Sequence, residues 1–232
     1  MKFPALWFLK DNPYFSYDLG EALVQDASLG VINNHDLAMS HYDLAVATGD
    51  GDAFWPADFP LPVAALPDWP FAPDFWRFGI YDFASGRLRD ALAQPAEIIQ
   101  FLPFDLVSAS AAARARDYRW MRVLPRQPAM DIARSDCEVA DYVDGLTDKP
   151  GKYLRRIDRF ALLDGFVPHT EIFRLDESPA FILATDALAG RVLRAGCTGI
   201  EFSDPANLQG GKRVDRIRTA HGISERRIGF LD

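Results

Sequence analysis

The side chains best suited to metal binding or nucleophilic catalysis are four histidines and two cysteines in a chain of 232 residues. His35 and His41, with Asp36 and Asp43 close by, form the densest ligand-type cluster. On a helix, a spacing of six turns the two rings about 240° apart. On a strand it puts them on one face but about 20 Å apart. Neither closes on one metal ion. Cys137 and His169 could meet in space as nucleophile and base, yet the surrounding RSDCEVA resembles no nucleophile turn. LQGGKR at Leu208–Arg213 lacks the earlier glycine and the Ser/Thr of a phosphate-binding loop. No GxGxxG follows a strand and no GxSxG occurs. TGDGD at Thr48–Asp52 lacks the spacing of a calcium loop and reads as a tight turn. The sequence thus predicts a binding protein with no metal or cofactor. A small hydrolase or transferase using Cys137/His169 or His35/His41 is the second expectation.

Charge is distributed unevenly. Residues 1–100 hold 14 acidic and 5 basic side chains; residues 101–232 hold 19 and 20. From Asp11 to Asp74 there are 11 acids and no Lys or Arg. Acids without basic neighbours must find cations elsewhere in the fold or leave a negative field in solvent. Such a field attracts basic partners and repels nucleic acid. The same stretch is rich in rings and prolines: Phe54, Trp55, Phe59, Trp69 and Phe71, among Pro56, Pro60, Pro62, Pro67, Pro70 and Pro73. Prolines at that density exclude helix and central strand. Residues 49–73 therefore read as a long irregular connection, held to the core by its rings or using them as anchors for a partner. Asp50, Asp52, Trp55, Asp58, Trp69 and Asp74 are the candidate contact residues. An opposite charge run, with six basic residues in Lys212–Arg227, could answer the acidic stretch within the fold or form a second contact surface.

The elements that would position these groups come from periodicity and caps. Phe3–Leu9 reads as a strand, Asp18–Gln25 as a capped helix, Leu44–Ala47 and Phe78–Phe83 as strands. Ser85 caps a helix GRLRDALAQ, stopped by Pro95, and the strand EIIQFLPFDLV follows. The pattern returns a hundred residues later. Phe181–Ala184 is a strand, Thr185 a cap, DALAGRVLRAG a helix ending on glycine, and TGIEF a strand. The two strand–helix–strand units are expected to share a sheet. Tyr118–Leu124, Lys152–Leu163 and Glu171–Leu175 supply further strands, while Pro125–Pro150 is poorly patterned. The expected class is α+β, with a mixed, largely antiparallel sheet and an irregular aromatic, Pro-rich N-terminal part. An acidic lobe over residues 1–80 would precede a core over residues 81–232 with a basic C-terminal segment, together one compact unit.

A chain of this length buries enough surface to fold without disulfides. Two cysteines make no disulfide framework and read as free thiols in a reducing compartment. The opening MKFPALWFLKDNP carries Pro4 and Lys10 around a short apolar run, which makes a poor signal peptide. No segment has the 18 or more apolar residues of a membrane span. A cytoplasmic location is expected by elimination.

Five stretches together resemble a known family: SGRLRDAL at Ser85–Leu92, IIQFLP at Ile98–Pro103, YRWMRVL at Tyr118–Leu124, IFRLDESP at Ile172–Pro179 and ILATDALAGRVLRAGCTGIEF at Ile182–Phe202. They are similar to the immunity protein eleven family of bacterial polymorphic-toxin and type VI secretion systems. The resemblance runs from Ser85 to Phe202, about half the chain, and leaves the first 80 residues unmatched. Its matching positions are apolar and capping residues, so it describes a fold and brings no catalytic residues. It implies a cytoplasmic protein that binds a cognate secreted toxin and blocks it in the producing cell. Asp50, Asp52, Trp55, Asp58, Trp69 and Asp74 would then meet a basic surface on that toxin, with neither nucleic acid nor membrane as partner. A non-catalytic scaffold, its acidic stretch paired with the basic tail, is the third expectation.

Overall fold

The computed structural model describes residues 6–11, 30–33, 63–65, 72–78, 81–107, 111–143, 150–205 and 214–227. Among these, strands dominate and helices are short, giving the expected α+β class with mostly antiparallel sheets. The chain forms two compact units. One holds Met1–Lys10, Pro125–Arg194 and Glu201–Asp232; the other holds Asp11–Leu124 and Ala195–Ile200. The division expected near residue 80 falls inside the second unit. A cut there would sever a hairpin, because Phe75–Phe78 pairs antiparallel with Tyr81–Ala84.

In chain order the strands are β1 (Leu6–Asp11), β2 (Gly30–Asn33), β3 (Val63–Ala65), β4 (Phe75–Phe78), β5 (Tyr81–Ala84), β6 (Ile99–Leu102), β7 (Asp105–Val107) and β8 (Arg119–Val123). They continue as β9 (Arg126–Gln127), β10 (Asp136–Val143), β11 (Pro150–Arg159), β12 (Ile172–Leu175), β13 (Ser178–Thr185), β14 (Ile200–Ser203), β15 (Val214–Thr219) and β16 (Gly222–Arg227). The helices are α1 (Gly86–Leu92), α2 (Ala111–Arg114) and α3 (Asp186–Arg194).

In the second unit, β4-β5-β8-β6 form one sheet and β2-β3-β7 another. Of the strand expected over Phe78–Phe83, Tyr81–Phe83 lies in β5, while Phe78 ends β4. Phe78 pairs with Tyr81 across the hairpin, and β4 and β5 extend away on either side. The rings of this hairpin make a core: Trp76 stacks on Phe83 at 4.0 Å, Tyr81 meets Trp120 at 5.2 Å, and Phe83 meets Phe104 at 4.5 Å. Within the stretch read as irregular, Val63–Ala65 is a short strand, parallel to β7. Three residues fit between Pro62 and Pro67 without asking either proline for a ladder hydrogen bond.

In the first unit the sheet order is β16-β15-β14-β1-β13-β12-β9, and β10 and β11 form a separate two-stranded sheet with two register shifts. Its core joins Leu6, Ala129, Met130, Phe160, Phe173, Leu175 and Leu183. The poorly patterned Pro125–Pro150 holds β9 and β10. DCEVADYV lacks clean apolar alternation, so its strand character comes from pairing with β11.

The two strand–helix–strand repeats exist, but in different sheets. The β5-α1-β6 repeat belongs to the four-stranded sheet and β13-α3-β14 to the seven-stranded one. Both have one device in common: a further strand lies between the two that the helix links. That strand is β8 between β5 and β6, and β1 between β13 and β14. Sheet edges, which periodicity does not encode, separate the repeats. The expected helix Asp18–Gln25 and strand Leu44–Ala47 lie outside the described residues. No helix among those described is long and apolar enough to cross a membrane.

Candidate functional site

Of the six candidate contact residues, Asp50, Asp52, Trp55, Asp58 and Trp69 lie outside the described residues, and Asp74 is described. Asp74 is not a surface acid: its relative exposure is 0%. The hairpin explains why. Phe75 pairs with Ala84, so Asp74 faces Ser85, whose N–H donates to the Asp74 carbonyl at 2.8 Å. The Ser85 hydroxyl donates to Asp74 Oδ1 at 2.7 Å and accepts the Leu88 N–H at 3.2 Å, which caps α1. Arg116 Nη1 donates to Oδ1 at 3.1 Å. On the other oxygen, Thr198 donates its N–H at 2.9 Å and its hydroxyl at 3.1 Å. Arg87, half exposed, stands 3.9 Å away.

These four donors occupy the acceptor positions of an ionised carboxylate. No capacity remains for a partner. A role for Asp74 as a steering or contact residue is corrected on that ground: the carboxylate joins three segments of its own unit. Around it the packing is close. Phe75 N–H and Asp74 N–H both donate to the Thr198 carbonyl, and the Tyr118 hydroxyl donates to the Pro73 carbonyl. Burial pushes the Tyr118 phenol well above its ordinary value, so it stays a neutral donor. Gly199, at φ +75°, sits where a Cβ would come within 2.3 Å of the Phe75 carbonyl oxygen and 2.4 Å of Pro73 Cβ.

Of the groups considered for catalysis, Cys137 and His169 fall among the described residues. Cys137, on β10, packs against the first unit's core. Burial first, and then Asp136, push its thiol up, away from the thiolate a nucleophile needs. Cys197, beside Asp74, is pushed up to about 11, again by burial first and by the Asp74 charge second. His169 lies exposed before β12, its N–H donating to Gln127 Oε1 at 2.9 Å. His35, His41, TGDGD and LQGGKR lie outside the described residues. Among the described residues no group of three or more His, Cys, Asp or Glu could hold a metal ion.

Two arginines of the basic tail find their anions nearby. Arg216 pairs with Asp204 at 2.8 Å and Arg218 with Asp186 at 2.9 Å, all in the first unit. For these two arginines, pairing with the acidic stretch is replaced by pairing with neighbours. The Asp74 cluster was missed in sequence. Ser85 was visible as a cap and Thr198 as part of a loop, but 124 positions separate Thr198 from the carboxylate it holds.

The fold is thus an α+β scaffold whose buried polar centre is structural. The model of the immunity protein family (Imm11) matches residues 25–207, and the chain belongs to that family. The match extends the resemblance well beyond Ser85–Phe202, taking in the acidic stretch from Asp26 onward. A search of curated proteins gives no match for this chain.

Proposed function

We propose that this chain is a cytoplasmic immunity protein that binds a cognate secreted toxin and neutralises it by protein–protein contact, without catalysis of its own. The observation that carries this reading is the family match over residues 25–207. The acidic stretch supports a toxin with a basic contact surface. Asp50, Asp52, Trp55, Asp58 and Trp69 are the proposed contacts there, the acids steering and the rings anchoring. The raised thiol of Cys137 speaks against the hydrolase alternative. The internal pairs of Arg216 and Arg218 weaken the alternative in which the tail exists to hold the acidic stretch.

The test is co-purification of this chain with the toxin domain encoded by the adjacent reading frame, followed by a growth-protection assay. The expected result is a stable complex and full protection, retained when Cys137, His169, His35 and His41 are all replaced. Loss of protection by the fourfold variant with the complex intact would instead indicate catalysis.

A further inference from the structure

We propose that the arginine cluster at the start of α1, formed by Arg87, Arg89, Arg116 and Arg119 of the second unit, is a docking surface for the toxin that takes an acidic segment, its Asp or Glu carboxylates seated on the guanidinium forks. This rests on the toxin-binding reading above and adds to it a surface of opposite sign to the acidic stretch.

Shared bonds hold the four side chains together. Arg116 and Arg87 both reach Asp74, at 3.1 Å and 3.9 Å. Arg89 and Arg119 both pair with Asp117, the second at 3.3 Å. Gly86 joins the two pairs. Its N–H donates to the Arg116 carbonyl at 2.9 Å, and a Cβ placed on it would lie 3.6 Å from Arg89 Nη2. The four arginines thus gather about the first turn of α1 and the turn that leads into β8. All of them reach solvent, with side chains 22% to 53% exposed.

The fold needs fewer cations than it has here. Ser85, Arg116 and Thr198 already satisfy Asp74 without Arg87. One arginine would neutralise Asp117, and two are present. Exposed pairs of that kind add little stability. Four guanidiniums against two carboxylates leave two positive charges, and of the two carboxylates Asp74 is buried. The other charges on these elements do not reverse that sign. Asp90 and Arg114, both exposed, oppose one another, Arg77 pairs with Asp82, and Arg122 donates to Gln100 on β6.

The forks select the occupant. Each guanidinium meets its carboxylate through one nitrogen, so most of its five N–H donors have no protein acceptor among the described residues. Such forks match carboxylates in pairs, and arginine is among the residues that dominate binding energy at interfaces. A nucleic acid would bring a long run of phosphates to a chain of net charge −8. An acidic protein segment brings its charge to this patch alone.

The experiment measures affinity and association rate for the purified, catalytically inactive toxin domain from the adjacent reading frame. Arg87→Glu combined with Arg119→Glu should melt at the wild-type temperature, bind at least about tenfold weaker and associate more slowly. Asp117 stands at φ +48°, which Asn also tolerates, and Asp117→Asn removes the exposed carboxylate of the cluster. It should therefore speed association, which damage to the fold would not do. A toxin that met this surface with basic groups would give both variants the opposite signs. Opposite signs, or wild-type rates and affinity in both, overturn this surface while leaving the toxin reading intact. So does an oligonucleotide that binds the wild-type chain and is lost in the double variant with toxin affinity unchanged, since the occupant would then be phosphate. A wild-type chain that does not bind the toxin domain removes the reading and the surface together.

Discussion

Asp74 carries its charge into a site without solvent and recovers the lost hydration through four donors from Ser85, Arg116 and Thr198. Deleting the carboxylate leaves those donors facing nothing, and Arg116 keeps only its outer, hydrated side. Asp74→Ala should therefore cost about 3–5 kcal/mol of unfolding free energy, read by urea titration. Asp74→Asn should cost about 2 kcal/mol, since its amide must point a donor at donors. At Glu177, burial is the largest effect and pushes the carboxyl up; one oxygen accepts the Met130 N–H at 3.3 Å while the other is buried with no hydrogen-bond partner among the described residues. The sign follows from linkage. A carboxyl raised in the folded state adds stability below its unfolded value, near 4.5, and loses it as pH climbs through the folded value. Glu177→Gln should thus gain on wild type in melting temperature as pH rises from 4.5 toward neutrality. A constant difference across that range would refute the assignment.

At the scale of elements, caps and a close approach set local order. Ser85 and Thr185 start α1 and α3 in the same way, each hydroxyl accepting an N–H three residues on. Thr185→Ala should cost about 1 kcal/mol. Ser85→Ala should cost more, because its hydroxyl also serves Asp74. The segment Ala195–Ile200 runs against β4 in its own unit so closely that only glycine fits at position 199. Gly199→Ala must accept both a left-handed backbone and a clash with backbone oxygen. It should lower stability by more than about 2 kcal/mol in thermal or urea unfolding. Gly196, also at positive φ but with open space around it, is the control, with the smaller cost of the backbone term alone.

For the whole molecule, the net charge of −8 arises in the first hundred residues, where 14 acids face 5 bases, while the remainder is nearly balanced at 19 against 20. The family match from residue 25 means that most of the acidic stretch belongs to the family's shared extent, so it is not an appendage to the core. Reversing Asp50, Asp52 and Asp58 to Lys should slow association with a basic toxin by tenfold or more at low salt and flatten the salt dependence. Stopped-flow rates at two ionic strengths check this, and unchanged rates would move the interface elsewhere. With the tail arginines Arg216 and Arg218 paired to Asp204 and Asp186, the field of the acidic stretch is not answered by these two side chains.

What the sequence determined by itself is local. The Ser85 and Thr185 caps and the two short helices they start are set by hydrogen bonds spanning three or four residues, and these appear where spacing placed them; the run EIIQFLPFDLV, read as one strand, is instead β6 and β7 in different sheets. The largely antiparallel α+β class also appears as expected, because strand-length apolar runs separated by turns permit little else. What the tertiary structure decided is which strand lies beside which. Periodicity shows that β5-α1-β6 and β13-α3-β14 are alike; only pairing puts them in different sheets, each opened by an intervening strand. The same limit governs Asp74. In sequence it is the last of eleven unpaired acids, identical in kind to its neighbours. It becomes a structural anchor because the hairpin register sets Ser85 opposite it and a loop 124 residues away supplies Thr198. Burial depends on contacts at long separation, and composition carries no record of them.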